Sequence, residues 1–220
     1  MKVTDKIEIT NEDNMVLMAR YPDNYFDLAI IDPPYGGNDA INLKNNKTEG
    51  KQATKRKNYH SFENKFPKED FFKELFRVSK NQIIWGVNFY PYNFLTGGRL
   101  VWDKKGTAFG RAELAFLSMT KSVDIVDIQW NGMLQSDMKN KEIRIHPTQK
   151  PVALYKFLIN KYLIEKIGGG KILDTHLGSG SIAIACHDYG IELVACEIDK
   201  KYFNESIKRI ENHISQLTLF

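Results

Sequence analysis

The chain has 220 residues, of which 42% are hydrophobic, 12% aromatic and 26% charged, and its formal net charge is +4. That length suits one domain, 1–220, with a sizeable core, and the mixture excludes a disordered, collagen-like or disulfide-stapled chain. The opening MKVTDKIEIT lacks the apolar stretch of a signal peptide and no apolar run is long enough to span a bilayer, so a cytoplasmic protein with no membrane partner is expected.

In chain order, Lys6 to Thr10 alternate as a short strand, and Asp27 to Asp32 form a compact apolar run of the kind a buried parallel strand requires. Pro33-Pro34 ends it, because proline has no N–H for the ladder, and the carboxyl edge of an open α/β sheet is where ligands bind. From Asn38 to Phe66 seven basic side chains face three acidic ones among Asn, Gln and Thr, which reads as a mobile basic loop. Pro67 with Glu69 and Asp70 starts a helix whose Phe71, Phe72, Leu75, Phe76 and Val78 form an apolar stripe. Gln82–Trp85, Arg99–Trp102 and Leu114–Leu117 then read as three strands.

After a variable stretch to Ile145, Pro151 opens a helix of 3.6 period that Gly168-Gly169-Gly170 ends. Lys171–Asp174 is a strand, Ser181–Asp188 a helix, Glu192–Glu197 a strand and Lys201–His213 a last helix, giving seven strands in all. Cys186 and Cys196 lack the spacing of a metal or disulfide framework and are expected to be free, buried thiols. No metal site is expected.

Three motifs carry chemistry. Asp32-Pro33-Pro34-Tyr35 follows a buried strand. Its carboxylate and the Pro33 carbonyl can accept both hydrogens of an exocyclic base amine, whose lone pair is otherwise delocalised into the ring. The two prolines stiffen the segment, and Tyr35 offers a π-face to a base flipped out of its helix. Asp174-Thr175-His176-Leu177-Gly178-Ser179-Gly180 links a strand to a helix, where glycines allow close approach of a ligand, and Glu197 ends the next strand in position to bind a ribose diol. Alone this loop also fits a dinucleotide pattern, G-x-G-x-x-A, so an NAD-binding oxidoreductase is an alternative. That fold, however, normally begins with its glycine loop, and it would leave Asp32 to Tyr35 without a role. His146-Pro147-Thr148-Gln149-Lys150-Pro151, at the entry to a helix, reads as a lid.

DPPYGG, HPTQKPVALYKFLI, ILDTHLGSGSIAIA and ACEIDKKYF, in that order, resemble the beta-class amino-methyltransferases of DNA, which make N6-methyladenine or N4-methylcytosine from S-adenosylmethionine. The resemblance covers nearly the whole chain. It implies a doubly wound, Rossmann-like α/β sheet of seven strands with one antiparallel strand, circularly permuted so that the catalytic motif precedes the cofactor motif. It also implies a catalytic tetrapeptide of Asp32, Pro33, Pro34 and Tyr35. Cofactor contacts would come from Asp13, His146, Thr148, Lys150, Asp174, His176, Gly178, Ser179, Gly180 and Glu197, with Asn88 or Phe89 lining the base pocket. DNA is the implied partner, contacted by Lys51, Lys55, Arg56 and Lys57, and the resemblance allows a homodimer and a restriction-modification setting.

Two departures stand out. His176 occupies a position where the family usually has phenylalanine, replacing an aromatic wall of the methionine pocket with an imidazole. Only residues 119–145 are left for target recognition, so sequence reading is expected to be shared with the basic loop or a second subunit. Aspartate at the head of the first motif favours adenine N6 over cytosine N4. RNA methylation and an inactive nucleic-acid-binding regulator are the remaining alternatives, the latter disfavoured by the intact tetrapeptide.

Overall fold

The computed structural model describes residues 1–36, 65–106, 110–130 and 134–216. The basic stretch carrying Lys51, Lys55, Arg56 and Lys57 lies outside the described residues. Among the described residues there are eight strands: β1 (Ile7–Thr10), β2 (Leu28–Ile31), β3 (Gln82–Trp85), β4 (Gly98–Asp103), β5 (Ala112–Leu117), β6 (Val123–Asp127), β7 (Lys171–Asp174) and β8 (Glu192–Cys196). They form one sheet in the order β1-β8-β7-β2-β3-β5-β4-β6. From β1 to β3 every pairing is parallel, β5 runs against both β3 and β4, and β6 pairs parallel to β4.

The one antiparallel strand agrees with expectation; the strand number does not. The eighth strand is β6, inside the 119–145 stretch expected to serve target recognition. It was hidden because it is an edge strand with one buried residue, Val126, while Val123 and Ile125 are 64% and 66% exposed. Neither clean alternation nor an apolar block marks such a segment.

Helices cover both faces, and the period of two along β2 explains how. Leu28 and Ile30 point into a core shared with α3 (Val152–Leu158), α4 (Ser181–Tyr189) and α5 (Lys200–Ile214). Ala29 and Ile31 point the other way, into a core shared with α1 (Asn14–Met18) and α2 (Glu69–Val78). All four β2 residues are buried, as a central parallel strand demands. Helix α3 continues as a π-wound segment, Ile159–Ile167, and stops where Gly168 turns left-handed at φ 93°. Among the described residues no helix is long and apolar enough to cross a membrane.

This topology gathers one edge of the sheet. The carboxyl ends of β1, β8, β7, β2 and β3 lie side by side. Because β5 is reversed, its beginning arrives at the same edge, with Glu113 opposite Trp102 and Ala115 opposite Trp85.

Candidate active site

Asp32 leaves β2 at the centre of that edge, where its carboxylate is tightly engaged. One oxygen lies 2.5 Å from the Lys150 ammonium, and the other accepts the Tyr35 hydroxyl at 2.6 Å. Lys150 is 2% exposed along its side chain and also reaches Glu113 at 3.0 Å and the Tyr35 oxygen at 3.0 Å. Glu113 in turn pairs with Lys104, which sits over the Trp102 ring. Two carboxylates and two ammonium groups thus share one buried cluster, the arrangement that lets charges leave water at tolerable cost. Burial raises the Asp32 carboxyl above the ordinary range, Lys150 opposing and Glu113 reinforcing the rise. Burial would raise Glu113 as well, but Lys150 and Lys104 outweigh it and bring that carboxyl down to about 2.

The aromatic residues around the turn are fixed by backbone geometry. Gly86, left-handed at φ 74°, follows β3, and a Cβ there would lie 2.2 Å from the Tyr35 ring, so glycine is what admits that ring. Phe89 stacks on Tyr35 with centroids 5.0 Å apart and planes 12° from parallel, and it is half exposed. The Tyr90 hydroxyl lies 3.2 Å from the Pro33 carbonyl and 3.1 Å from the Trp85 carbonyl, orienting the peptide expected to accept an amine hydrogen.

One strand away, Asp174 ends β7 with its carboxyl buried, accepting the His176 N–H at 2.9 Å. Burial pushes this acid up to about 8. Gly178 and Gly180 both have positive φ, and the Gly178 N–H donates to Glu197 at 2.8 Å. The second Glu197 oxygen accepts the Asp199 N–H at 2.9 Å. Ser179 turns its hydroxyl to Ser181 at 3.1 Å, and its carbonyl accepts from Arg209 at 2.8 Å. The His146 ring stands over Gly178, 3.7 Å from where a Cβ would be, with one edge toward Tyr202 and its Nδ1 3.1 Å from the exposed Thr148 hydroxyl.

The sheet edge brings Asp32 to Tyr35, Lys150, Asp174 to Gly180 and Glu197 together, as the motifs suggest. Other placements differ. Lys150, expected to contact the cofactor from the lid, is held by Asp32, Glu113 and Tyr35. Asp13 caps α1, accepting Met15 and Val16 N–H groups at 2.8 and 3.4 Å. His176 is held between Thr175, Asn14 and the edge of Phe71, and burial brings its imidazole down to about 4. Glu113, Lys104, Tyr90, Asn14 and Arg209 were not singled out from sequence. The Cys186 and Cys196 thiols are free and buried, as expected. Among the described residues no group of three His, Cys, Asp or Glu could hold a metal ion.

The residues of the glycine loop suit S-adenosylmethionine. A buried acid at Asp174 matches the ammonium of the amino-acid end, Glu197 retains acceptor capacity for a ribose diol, and the space beside Gly178 would be narrowed by a Cβ.

Comparisons with known proteins agree with this architecture. The sequence model of the N6/N4 family, described as DNA methylase, matches residues 39–208, beginning just after the Asp32 turn. The type II methyltransferase M.HpaI of Haemophilus parainfluenzae is 32% identical over 76 residues. That match spans 34% of this chain and 23% of the relative's length. Among solved structures, the M1.HpyAVI–SAM complex superposes with a TM-score of 0.54 at 19% identity, covering 92% of this chain and 99% of that one. PvuII DNA methyltransferase, cytosine-N4-specific, gives 0.58 at 12% identity, covering 96% and 93%. At such identities the likeness shows a shared fold, while the family match extends over most of the 220 residues. The chain belongs to the N6/N4 DNA methylase family.

Proposed function

We propose that the chain is a site-specific DNA methyltransferase acting on the N6 amine of a flipped-out adenine, with S-adenosylmethionine as donor. The observation that carries this reading is the adjacency of β2 and β7, which sets the Asp32–Tyr35 turn beside the Asp174–Gly180 loop at one sheet edge. Family membership supports DNA as the substrate, and the chain order of the two motifs supports a permuted, beta-class member. The M.HpaI likeness supports a restriction-modification setting. A homodimer would bring a second basic stretch to the duplex, and the mass from sedimentation measured with and without DNA tests it.

S-adenosylmethionine supplies a methyl group made electrophilic by its sulfonium. Asp174, Gly178 and Glu197 would hold it, with His146 and Thr148 closing from the lid. Asp32 and the Pro33 carbonyl accept the two hydrogens of the amine, which favours a nitrogen with its lone pair directed outward. Tyr35 and Phe89 provide the aromatic wall for the base. The new N–C bond would form as the methyl group's bond to sulfur breaks with its electron pair left on sulfur; the nitrogen is then cationic, and its proton leaves to Asp32.

Cytosine N4 is the second reading, favoured by the likeness to the PvuII enzyme, while aspartate at the head of the motif favours adenine. Transfer of labelled methyl to unmethylated duplex DNA, with nucleoside analysis, separates them. Asp32→Ala should abolish transfer while cofactor binding persists. Absence of transfer from the intact chain to duplex or single-stranded DNA would refute the proposal.

A further inference from the structure

The function proposed above gives Asp32 two duties, accepting an amine hydrogen and later taking the proton. The second conflicts with its surroundings. Its carboxylate lies 2.5 Å from Lys150, a side chain 2% exposed, so an Asp32 that accepts a proton leaves a buried ammonium without its counter-ion. A buried charge that loses its partner is strongly destabilising, and a lysine with Asp32 as its sole anion would resist that proton transfer.

The cluster contains a remedy. Glu113 reaches the same ammonium at 3.0 Å, and it comes from β5, the reversed strand, rather than from any of the motifs. We propose that Glu113 is a positioning residue that serves as the resident counter-ion of Lys150, keeping the ammonium paired while Asp32 is neutralised by the proton of the methylated amine. The inference rests on the transferase reading. In the step concerned, the N–H bond of the cationic product breaks, its electron pair stays on nitrogen, and the proton binds an Asp32 oxygen. Lys150 keeps its charge and Glu113 keeps its own.

The groups facing Asp32 support this division. Tyr35 donates to it at 2.6 Å, and Tyr90, Tyr155 and Asp174 stand close enough to feel its charge. Lys104 holds the far side of Glu113. Glu113 is paired with two ammonium groups, Lys104 and Lys150, and Asp32 with one, which pushes Glu113 down while burial pushes Asp32 up, so the first stays ionised and the second takes the proton. Two acids driven apart by their surroundings in this way commonly divide the roles of proton acceptor and fixed charge.

The test is Glu113→Gln, read three ways. With Lys150 left to Asp32 alone, turnover should fall by about tenfold or more, the scale of an impaired proton acceptor. S-adenosylmethionine affinity should be unchanged, and the acidic limb of the kcat profile should move to lower pH, because Asp32 loses a neighbouring negative charge and gains a closer ammonium. Glu113→Asp, which keeps the charge, should recover part of the rate. If Glu113→Gln fails to fold, Glu113→Gln with Lys104→Met removes the paired charges together and is read in the same way.

The titration of Asp32 is followed separately by carbon NMR of aspartate-labelled protein, assigned with Asp32→Asn, and needs no DNA. A wild type that transfers methyl groups, with a Glu113 variant equal to it in rate and pH profile, overturns the inference and leaves the transferase reading standing. A wild type without transfer overturns the transferase reading. The Asp32 titration then still decides Glu113: a downward shift on Glu113→Gln supports its hold on Lys150, and an unmoved one refutes it.

Discussion

Binding of S-adenosylmethionine should release a proton, and the source is Asp174. This carboxyl is 2% exposed and accepts a hydrogen bond from the His176 N–H. Burial raises it from 3.8 to about 8. At that value about nine chains in ten carry the proton at pH 7, and about half do at pH 8. The displacement corresponds to roughly 6 kcal/mol against ionisation, at about 1.4 kcal/mol per pH unit, which a cation placed beside the carboxyl would offset. Calorimetric titration at pH 7 in two buffers of different ionisation enthalpy measures the proton count directly. It should approach one at pH 7, fall as the pH rises through 8, and vanish in Asp174→Asn. The same acid has a stability signature. Between 3.8 and about 8 the folded chain holds a proton that the unfolded chain has lost, so this contribution to stability falls as pH rises through that window. Asp174→Asn should therefore raise the melting temperature at pH 8.5 while weakening cofactor binding. Equal proton release from wild type and Asp174→Asn would refute the assignment.

Further outcomes follow from the same geometry. Gly86→Ala places a Cβ 2.2 Å from the Tyr35 ring at φ 74°, so it should cost about 1–3 kcal/mol in a denaturant melt and displace Tyr35, depressing methyl transfer more than cofactor affinity. His146 and His176 are held at about 4 mainly by burial, so the unfolded chain binds more protons between pH 6.5 and 4. Their joint contribution should thus be lost as pH falls through that window, by up to roughly 3 kcal/mol each, and urea midpoints of His176→Phe should show a flatter acid limb than wild type. Arg209→Met breaks a pair with Glu142 at 2.7 Å and removes the donor to the Ser179 carbonyl. It should destabilise by about 3 kcal/mol or more, measured in guanidinium, because it strands a largely buried carboxylate.

What the sequence disclosed is what local pattern encodes. Apolar blocks such as Leu28–Ile31 and Lys171–Asp174 announced strands, and the residues just after them announced the sheet edge where Asp32 and Asp174 stand. Asp13, expected to contact a cofactor, caps α1, a helix of five residues that is too short for an apolar period to mark. Lys150 was visible as part of a lid motif, but its direction was not: whether a lysine points to a glycine loop or a carboxylate depends on which strands lie beneath it. Glu113 was less visible still. It sits in an ordinary strand sequence, Ala112–Leu117, and nothing local tells that this strand is reversed. β6 escaped because Val123 and Ile125 face outward on an edge.

The reversal of β5 links fold to chemistry. Were β5 parallel to β3 like the strands on the other side, its first residues would lie at the amino edge, far from Asp32. Reversal brings Glu113 past the end of β3, within 3.0 Å of Lys150. A lysine that is 2% exposed needs its anions supplied at fixed positions, since water cannot supply them. A single carboxylate would satisfy that need and would leave Asp32 permanently committed to it. Two carboxylates on one ammonium, with Lys104 balancing the second, cost more to desolvate than one pair, and hydrophobic side chains of similar size would be no less stable there. The cluster is therefore poorly explained as a stabilising device. It makes sense as a means of letting one carboxylate change its charge while its neighbours keep theirs.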